Sequence, residues 1–312
     1  MKNVASSSAK DIKWYTWTCT LGPSVQGIFS NADGTEVNSV CRSKSEKLMV
    51  TGDDFGKVNL FKYPSIAPKS GFRGYGGHSS HVTKVKFLDN DSYVVSTGGE
   101  DRTIILWQTD FGNSQGDQVE DEEEEEQINK DEYDEVISVE PKQKRSKHGD
   151  KIVGDIEGIE IGTNVQDGMF QDENIKKIDE FMAIKPWLGA IKPPSYFIKP
   201  PVGYDHKPKV QINLEYCFGY RAKDCRNNIK YLADGRICYN AAGLGVVLDP
   251  DTNKQTFFKN HIDDVTAIAV HPNLKIIATG EIGPKPHIYI WDSNSMLQIA
   301  VIRTGVIKGI GS

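Results

Sequence analysis

Three stretches of this chain repeat one pattern, and the repeat restricts the fold more than any single motif does. They read VNSVCRSKSEKLMVTGDDFGKVNLFKY, GHSSHVTKVKFLDNDSYVVSTGGEDRTIILWQ and NHIDDVTAIAVHPNLKIIATGEIGPKPHIYIWD. Each has an alternating apolar–polar run, a polar turn, a second run closing on Thr-Gly, and a turn with acidic residues. A third run then ends in an aromatic side chain: Phe61, Trp107 or Trp291. Alternation with period two is the signature of a strand with one buried face. Phe61 and Trp107 stand about 46 positions apart, the length of one four-stranded propeller blade. A weaker fourth unit follows the same logic, with NNIKYL, RICYNAA, LGVVLD and KQTFF as short strands. Asp234-Gly235 and Asp249-Pro250-Asp251 supply its turns. KVQINLEYCFGY, upstream, is a further alternating run.

The second stretch fits the WD-repeat pattern best. Gly77-His78 precedes its first strand, Thr97 closes the second, Asp101 sits in the turn and Trp107 ends the third. In the WD-repeat fold this implies one hydrogen-bonded set of His78, Thr97, Asp101 and Trp107, because a turn carboxylate needs buried donors. The sharper alternative is a His78–Asp101 catalytic dyad, but no nucleophile motif accompanies it. In the first stretch Asp54 stands in the turn without a preceding Gly-His. The third has His261 and Trp291 but no aspartate in its turn, so the full set is expected to be absent there. The fold class is therefore all-β: WD-repeat β-propeller blades, in incomplete propellers, with a disordered acidic insert.

Five zones are expected. Residues 1–13 are a disordered N-terminus, and residues 14–110 are blades that close one propeller unit, led by the run WYTWTCTL. Residues 111–185 form an acidic and basic linker. Glu122 to Glu126 repel one another there, and little apolar surface offsets chain entropy. Lys142, Lys144, Arg145 and Lys147 read as part of a solvated linker. Residues 186–260 hold a hydrophobic motif with a first blade, and 261–312 a truncated one.

The formal charge of −6 over 312 residues argues against a general nucleic-acid binder. Five cysteines, an odd number with no C-x-x-C spacing, read as reduced thiols. His206, Cys217, Cys225 and Cys238 match no common zinc spacing, so neither metal nor cofactor is expected. The glycines of GYGGH and GLGVV lack the phosphate-loop pattern. No apolar signal core and no run of about 18 apolar residues occurs, so an intracellular protein without a membrane partner is expected.

Two regions resemble one family. WYTWTCTLGPSVQGIF, TGDDFGKVNLFKYP and the second repeat look like the closing blades of a propeller unit in the echinoderm microtubule-associated protein-like (EMAP-like) family. Pro186-Trp187, Gly219-Tyr220-Arg221, the run from Asp224 to Asn228 and that from Gly243 to Asp249 resemble its hydrophobic (HELP) motif, which opens such a unit. The order resembles a junction between tandem units, so a fragment of a longer protein is expected. Four blades do not close a ring of about seven, and bare strand edges should remain.

The resemblance implies a non-enzymatic protein of the cytoplasm and microtubule cytoskeleton, a flagellum or spindle included, with tubulin as partner. A WD-repeat scaffold that binds some other protein is the alternative. Tubulin presents an acidic surface, so two basic groups are candidate contacts: Arg42, Lys44 and Lys47, and Arg221, Lys223, Arg226 and Lys230. Arg221 and Arg226 could equally be buried and paired with Asp224 or Glu215. The glutamate run would repel tubulin's acidic tails. Trp14, Tyr15 and Trp17 read as strand or core aromatics, and PWLGAIKPPSYFIKPP as an extended segment packed on the propeller.

Overall fold

The computed structural model describes residues 5–29, 37–67, 70–112, 191–197, 206–303 and 305. The acidic run, the basic run after it and Trp187 lie outside them. The described residues form one compact unit. Its strands make four four-stranded antiparallel sheets, the blades expected from the repeat. The first blade is β1 (Val37–Arg42), β2 (Leu48–Asp53), β3 (Val58–Lys62) and β4 (Phe72–Tyr75). The second starts with β5 (Val82–Phe87), β6 (Tyr93–Gly98) and β7 (Ile104–Asp110), and its fourth strand is β8 (Gln211–Phe218). The third is β9 (Ile229–Tyr231), β10 (Ile237–Ala241), β11 (Leu244–Asp249) and β12 (Lys254–Phe258). The last is β13 (Val265–Val270), β14 (Ile276–Glu281), β15 (Ile288–Asp292) and β16 (Gln298–Ile302).

The fourth strand of the second blade differs from the sequence expectation. The sequence places Lys209–Tyr220 in the zone expected to open a second unit. Its core, β8, instead pairs with β7 from Ile104↔Phe218 to Asp110↔Gln211, across about 100 intervening residues. The physical reason is burial. Ile212, Leu214 and Cys217 join the core formed by Val85, Ile105 and Trp107, which also includes Leu60 of the first blade and Leu244 of the third. The alternation in QINLEYCF is that of a blade's outer strand with one face inward. β8 is also guarded along its free edge: the Gln255 side chain accepts from the Cys217 N–H (2.8 Å) and donates to the Cys217 carbonyl (3.2 Å). A side chain thus satisfies ladder groups that a bare edge would expose.

WYTWTCTL is not a leading strand. Trp14 and Tyr15 are exposed, and Trp17 packs edge-on against Tyr63 (5.7 Å) under the Arg42 guanidinium. Val25 and Ile28 cover Val40, Met49 and Phe61, so this N-terminal segment seals the outer side of the first blade. Gly27 donates to the Ser65 carbonyl, and a Cβ there would lie 2.5 Å from the Ala67 carbonyl oxygen. The described part of the proline-rich segment docks on the same region. Gln26 donates to the Ile191 carbonyl, and Asp11 accepts from both the N–H and the hydroxyl of Ser195.

Antiparallel order gives every blade two distinct ends. The β1–β2, β5–β6, β9–β10 and β13–β14 turns share the lower end, where Asp91 accepts from the Lys44 and Ser45 N–H groups. The chain leaves β7 and re-enters β8 at this end. The β4–β5, β6–β7, β8–β9 and β12–β13 connections share the upper end.

Candidate functional site

The second blade assembles a hydrogen-bonded set, with one member corrected. The Trp107 indole N–H donates to Ser96 Oγ (2.8 Å), which meets His78 Nε2 (2.8 Å). His78 Nδ1 meets Asp101 Oδ2 (2.8 Å), and Asp101 also accepts from the Thr103 and Ser79 N–H groups. Ser96 takes the place expected for Thr97. Side chains alternate along β6, so Ser96 shares the buried face of Val94, while the Thr97 hydroxyl meets Thr83 on the other face.

Ser96, His78 and Asp101 have the connectivity of a serine-hydrolase triad. Ser96 is fully buried, however, and its oxygen is engaged by the indole. A nucleophile must be reachable by substrate, and this one is not. The set ties the turn preceding the blade to its core.

The last blade carries the same set, contrary to the expectation that it would be missing. Trp291 donates to Thr279 Oγ1 (3.0 Å), Thr279 meets His261 Nε2 (2.7 Å), and His261 Nδ1 meets Glu281 Oε2 (3.0 Å). His287 Nδ1 reaches the other carboxylate oxygen at 2.6 Å. Burial works to raise the Glu281 pKa, but hydrogen bonds from His261, His287 and the Ile262 N–H outweigh it and hold the carboxyl below its ordinary value. Phe258 stacks on Trp291 at 4.9 Å, and a Cβ on Gly245 would lie 2.8 Å from the indole.

Register explains why the acid was missed. Val37↔Asp53, Val82↔Gly98 and Val265↔Glu281 are equivalent pairs, each followed by an irregularity in the inner strand. In the first and last blades the acid is thus the final residue of the second strand. In the second blade that position is Gly98, and a Cβ there would fall 1.8 Å from Asp101 Oδ1. The carboxylate occupies a similar place from two different sequence positions. In the first blade Asp53, not Asp54, is the buried acid, accepting from the Phe55 and Lys57 N–H groups and from Asn59.

The two basic groups lie at opposite ends. Arg42 is paired with Glu46 (3.0 Å) and sits over the rings of Trp17 and Tyr63, while Lys44 and Lys47 are exposed at the lower end. Arg221 is buried at the upper end. Its guanidinium grips Asp224 in a two-pronged pair (2.9 and 2.7 Å) and reaches Asp264 at 2.5 Å. Asp264 in turn accepts from the Ser79 hydroxyl. Burial works against the Arg221 charge, but the carboxylates of Asp224 and Asp264 prevail and raise its pKa. Arg221 therefore joins the connections leading into the second, third and last blades, with Asp224 as partner, and is no surface contact. Lys223 and Arg226 are exposed, Lys230 is half-buried with its ammonium on Asn227 (2.6 Å), and Lys223 donates to the Glu100 carbonyl.

Among the described residues no group of three or more His, Cys, Asp or Glu side chains is placed to hold a metal ion, and no helix is long and apolar enough to cross a membrane. Burial pushes the Cys217 thiol up to about 12 and raises those of Cys41, Cys225 and Cys238, so these sulfurs stay protonated and inert.

Comparison with known proteins follows the same division. Residues 1–109 match the family model for the second beta-propeller of echinoderm microtubule-associated protein. Residues 207–246 match the HELP motif, and 252–292 the WD domain, G-beta repeat. Echinoderm microtubule-associated protein-like 1 of Homo sapiens is 51% identical over 105 residues, which cover 33% of this chain and 13% of that protein. Echinoderm microtubule-associated protein-like 2 of Homo sapiens is 49% identical over 108 residues (34% and 17%). Echinoderm microtubule-associated protein-like 3 of Mus musculus is 46% identical over 109 residues (35% and 12%). The chain thus spans less than a fifth of the length of these relatives. With the blade geometry, the matches make this a chain of WD-repeat blades that carries the HELP motif and is similar to the EMAP-like family over its first third.

Proposed function

We propose that this chain binds the microtubule surface without catalysing a reaction, through the upper end of its blades, and so serves the organisation of the microtubule cytoskeleton. The observation that carries the reading is the charge of that end. Exposed cations there include Lys57, Arg102, Lys223, Arg226 and Lys285. The exposed acids include Asp54, Glu100 and Asp224, the last already paired with Arg221. The lower end is mixed: Lys44, Lys47, Lys207, Lys209, Lys254 and Lys275 share it with Glu46, Asp89, Asp110, Asp234 and Asp251. An acidic filament is attracted more strongly to the first end, where cations outnumber free acids by the wider margin, than to the second, where the two nearly balance. The relatives' names, which call them microtubule-associated, support the choice of filament.

The test is co-pelleting of the folded chain with stabilised microtubules across a salt series. Binding at low salt that weakens as salt rises is expected, since exposed charges are screened over about 10 Å at 0.1 M. A chain that stays in the supernatant at low salt refutes the reading and leaves the scaffold for another partner.

A further inference from the structure

One carboxylate fastens the proline-rich segment to the N-terminal residues. Pro193 and Pro194, the latter buried, lead into a short 3-10 turn at Ser195–Phe197. Asp11 Oδ1 accepts from the Ser195 N–H at 2.6 Å, and Oδ2 accepts from the Ser195 hydroxyl at 2.7 Å. Those two bonds hold the Asp11 carboxyl below its ordinary value, so it is an anion near neutrality. Gln26 adds a bond to the Ile191 carbonyl at 3.1 Å. Asp11 and Ser195 lie 184 positions apart, so the pair works as a latch between distant parts of the chain.

Other hydroxyls that donate to carboxylates do not have this reach. Thr252 and Ser295 are exposed, but they bond to Asp249 and Asp292, each three residues away in the same turn. Ser79 reaches Asp264 from a half-buried position. Ser195 is exposed, and the two prolines before it stiffen its approach, so an enzyme that grips an extended substrate has little chain to order. Lys192, exposed three residues upstream, offers a cation for an acidic substrate groove to read.

From this geometry we infer that Ser195 is a phosphorylation site, and that its modification opens the latch to Asp11. Ser195 Oγ attacks the γ-phosphorus of ATP. An O–P bond forms, the bond from that phosphorus to the β,γ-bridging oxygen breaks, ADP leaves with the electron pair, and the hydroxyl proton passes to the kinase's base. The product has lost its O–H donor and carries a charge of about −1.5 to −2 against the Asp11 carboxylate. Lys10 is the cation that acts on Asp11, and one such charge does not balance a carboxylate and a phosphate together. The segment from Ile191 to Phe197 then detaches, while the blades, held by their own cores, stay folded. The inference stands apart from the microtubule reading and does not need it.

The experiment installs phosphoserine at position 195 of the full chain and follows amide hydrogen exchange by mass spectrometry. Exchange across 191–197 should be about tenfold faster than in the unmodified chain, with the blade peptides unchanged. Ser195→Ala loses one of the two bonds and should exchange about threefold faster. Asp11→Arg supplies the decisive control. Alone it should open the segment, and combined with phosphoserine it should close it again, because the phosphate then faces a cation. Phosphoserine that leaves exchange at the unmodified rate overturns the latch. So does an Asp11→Arg chain that phosphoserine fails to slow, since the repulsion would then not come from Asp11. Should the phosphorylated chain fail to fold, Asp11→Arg alone decides whether the two bonds hold the segment. Peptides of the protein from native cells kept in phosphatase inhibitors should include phosphorylated Ser195. Ser195 found unmodified throughout the cell cycle overturns the assignment as a modification site.

Discussion

Asp101→Ala offers the sharpest probe of how these blades are held together, because the structure also specifies its rescue. The carboxylate accepts from His78 Nδ1 at 2.8 Å, the Thr103 N–H at 3.1 Å and the Ser79 N–H at 3.3 Å. The side chains of both His78 and Asp101 are fully buried. Removing the acceptor strands buried donors, each worth about 1–3 kcal/mol, although Thr103 Oγ1 remains 3.1 Å from His78 Nδ1 and recovers part of one. The expected cost is about 3 kcal/mol, a fall in midpoint of about 6–12 °C for a unit of this size. The first and last blades place their acid at the position of Gly98, so Gly98→Asp in the Asp101→Ala background should restore at least half of the loss. In the wild-type background Gly98→Asp should itself destabilise, since a Cβ there would fall 1.8 Å from Asp101 Oδ1. The two sites must then show a coupling energy above about 1 kcal/mol in a double-mutant cycle. Circular-dichroism melts and urea titrations of the four proteins read this directly. A cost under about 0.5 kcal/mol for Asp101→Ala, or a double variant no better than the single, would refute the reasoning.

Glu281 and Arg221 give two more tests. The Glu281 pKa is lowered by folding, so the folded chain binds this proton less readily than the unfolded one. Its stabilisation is in full force above the ordinary value of 4.5 and is lost as pH falls through the lowered value. Glu281→Gln should cost about 2 kcal/mol near neutrality. The gap to wild type should close in urea titrations taken below that pH, and a gap independent of pH would count against the paired carboxylate. Arg221→Ala leaves Asp264 and Asp224 without their cation and should cost about 3 kcal/mol, whereas Lys223→Glu should stay within about 0.5 kcal/mol. Equal losses in chemical denaturation would return Arg221 to the list of surface contacts.

Much of the fold was legible because blades are local: alternation, turn residues and closing aromatics recur within about 46 residues. What escaped the reading was geometry finer than the repeat. Thr97 and Ser96 are adjacent, and only the phase of β6 decides which faces His78. Glu281 is masked by a similar ambiguity. A pattern that seeks the acid in the turn finds none in IGPKPH, while the strand end supplies one in the equivalent place. Arg221 and Lys223 are two residues apart with the same sign of charge, yet one is clamped between carboxylates and the other exposed. Composition cannot separate them, because the partner Asp264 lies 43 positions away.

The placement of β8 was hidden for a different reason, which follows from how weakly loop length enters the free energy. Joining two strand ends through n residues costs about (3/2)RT ln n, or about 4 kcal/mol for 100 residues, against about 2 kcal/mol for 10. Lengthening the β7–β8 connection tenfold therefore adds only about 2 kcal/mol. On the other side stand seven registered residue pairs between β7 and β8 and the burial of Ile212 and Leu214, each worth about 1.5–3 kcal/mol. The ladder and its buried face outweigh the added closure cost, so a blade can be completed by a strand far along the chain. In sequence, by contrast, 100 intervening residues, most of them in the charged linker 111–185, look like the boundary between two domains, because a reader weighs length linearly and the polymer weighs it logarithmically. The signal that β8 belonged to the earlier blade was present in the alternation of QINLEYCF, which has the pattern of an outer strand with a neighbour to pair with, and the preceding blade lacked one.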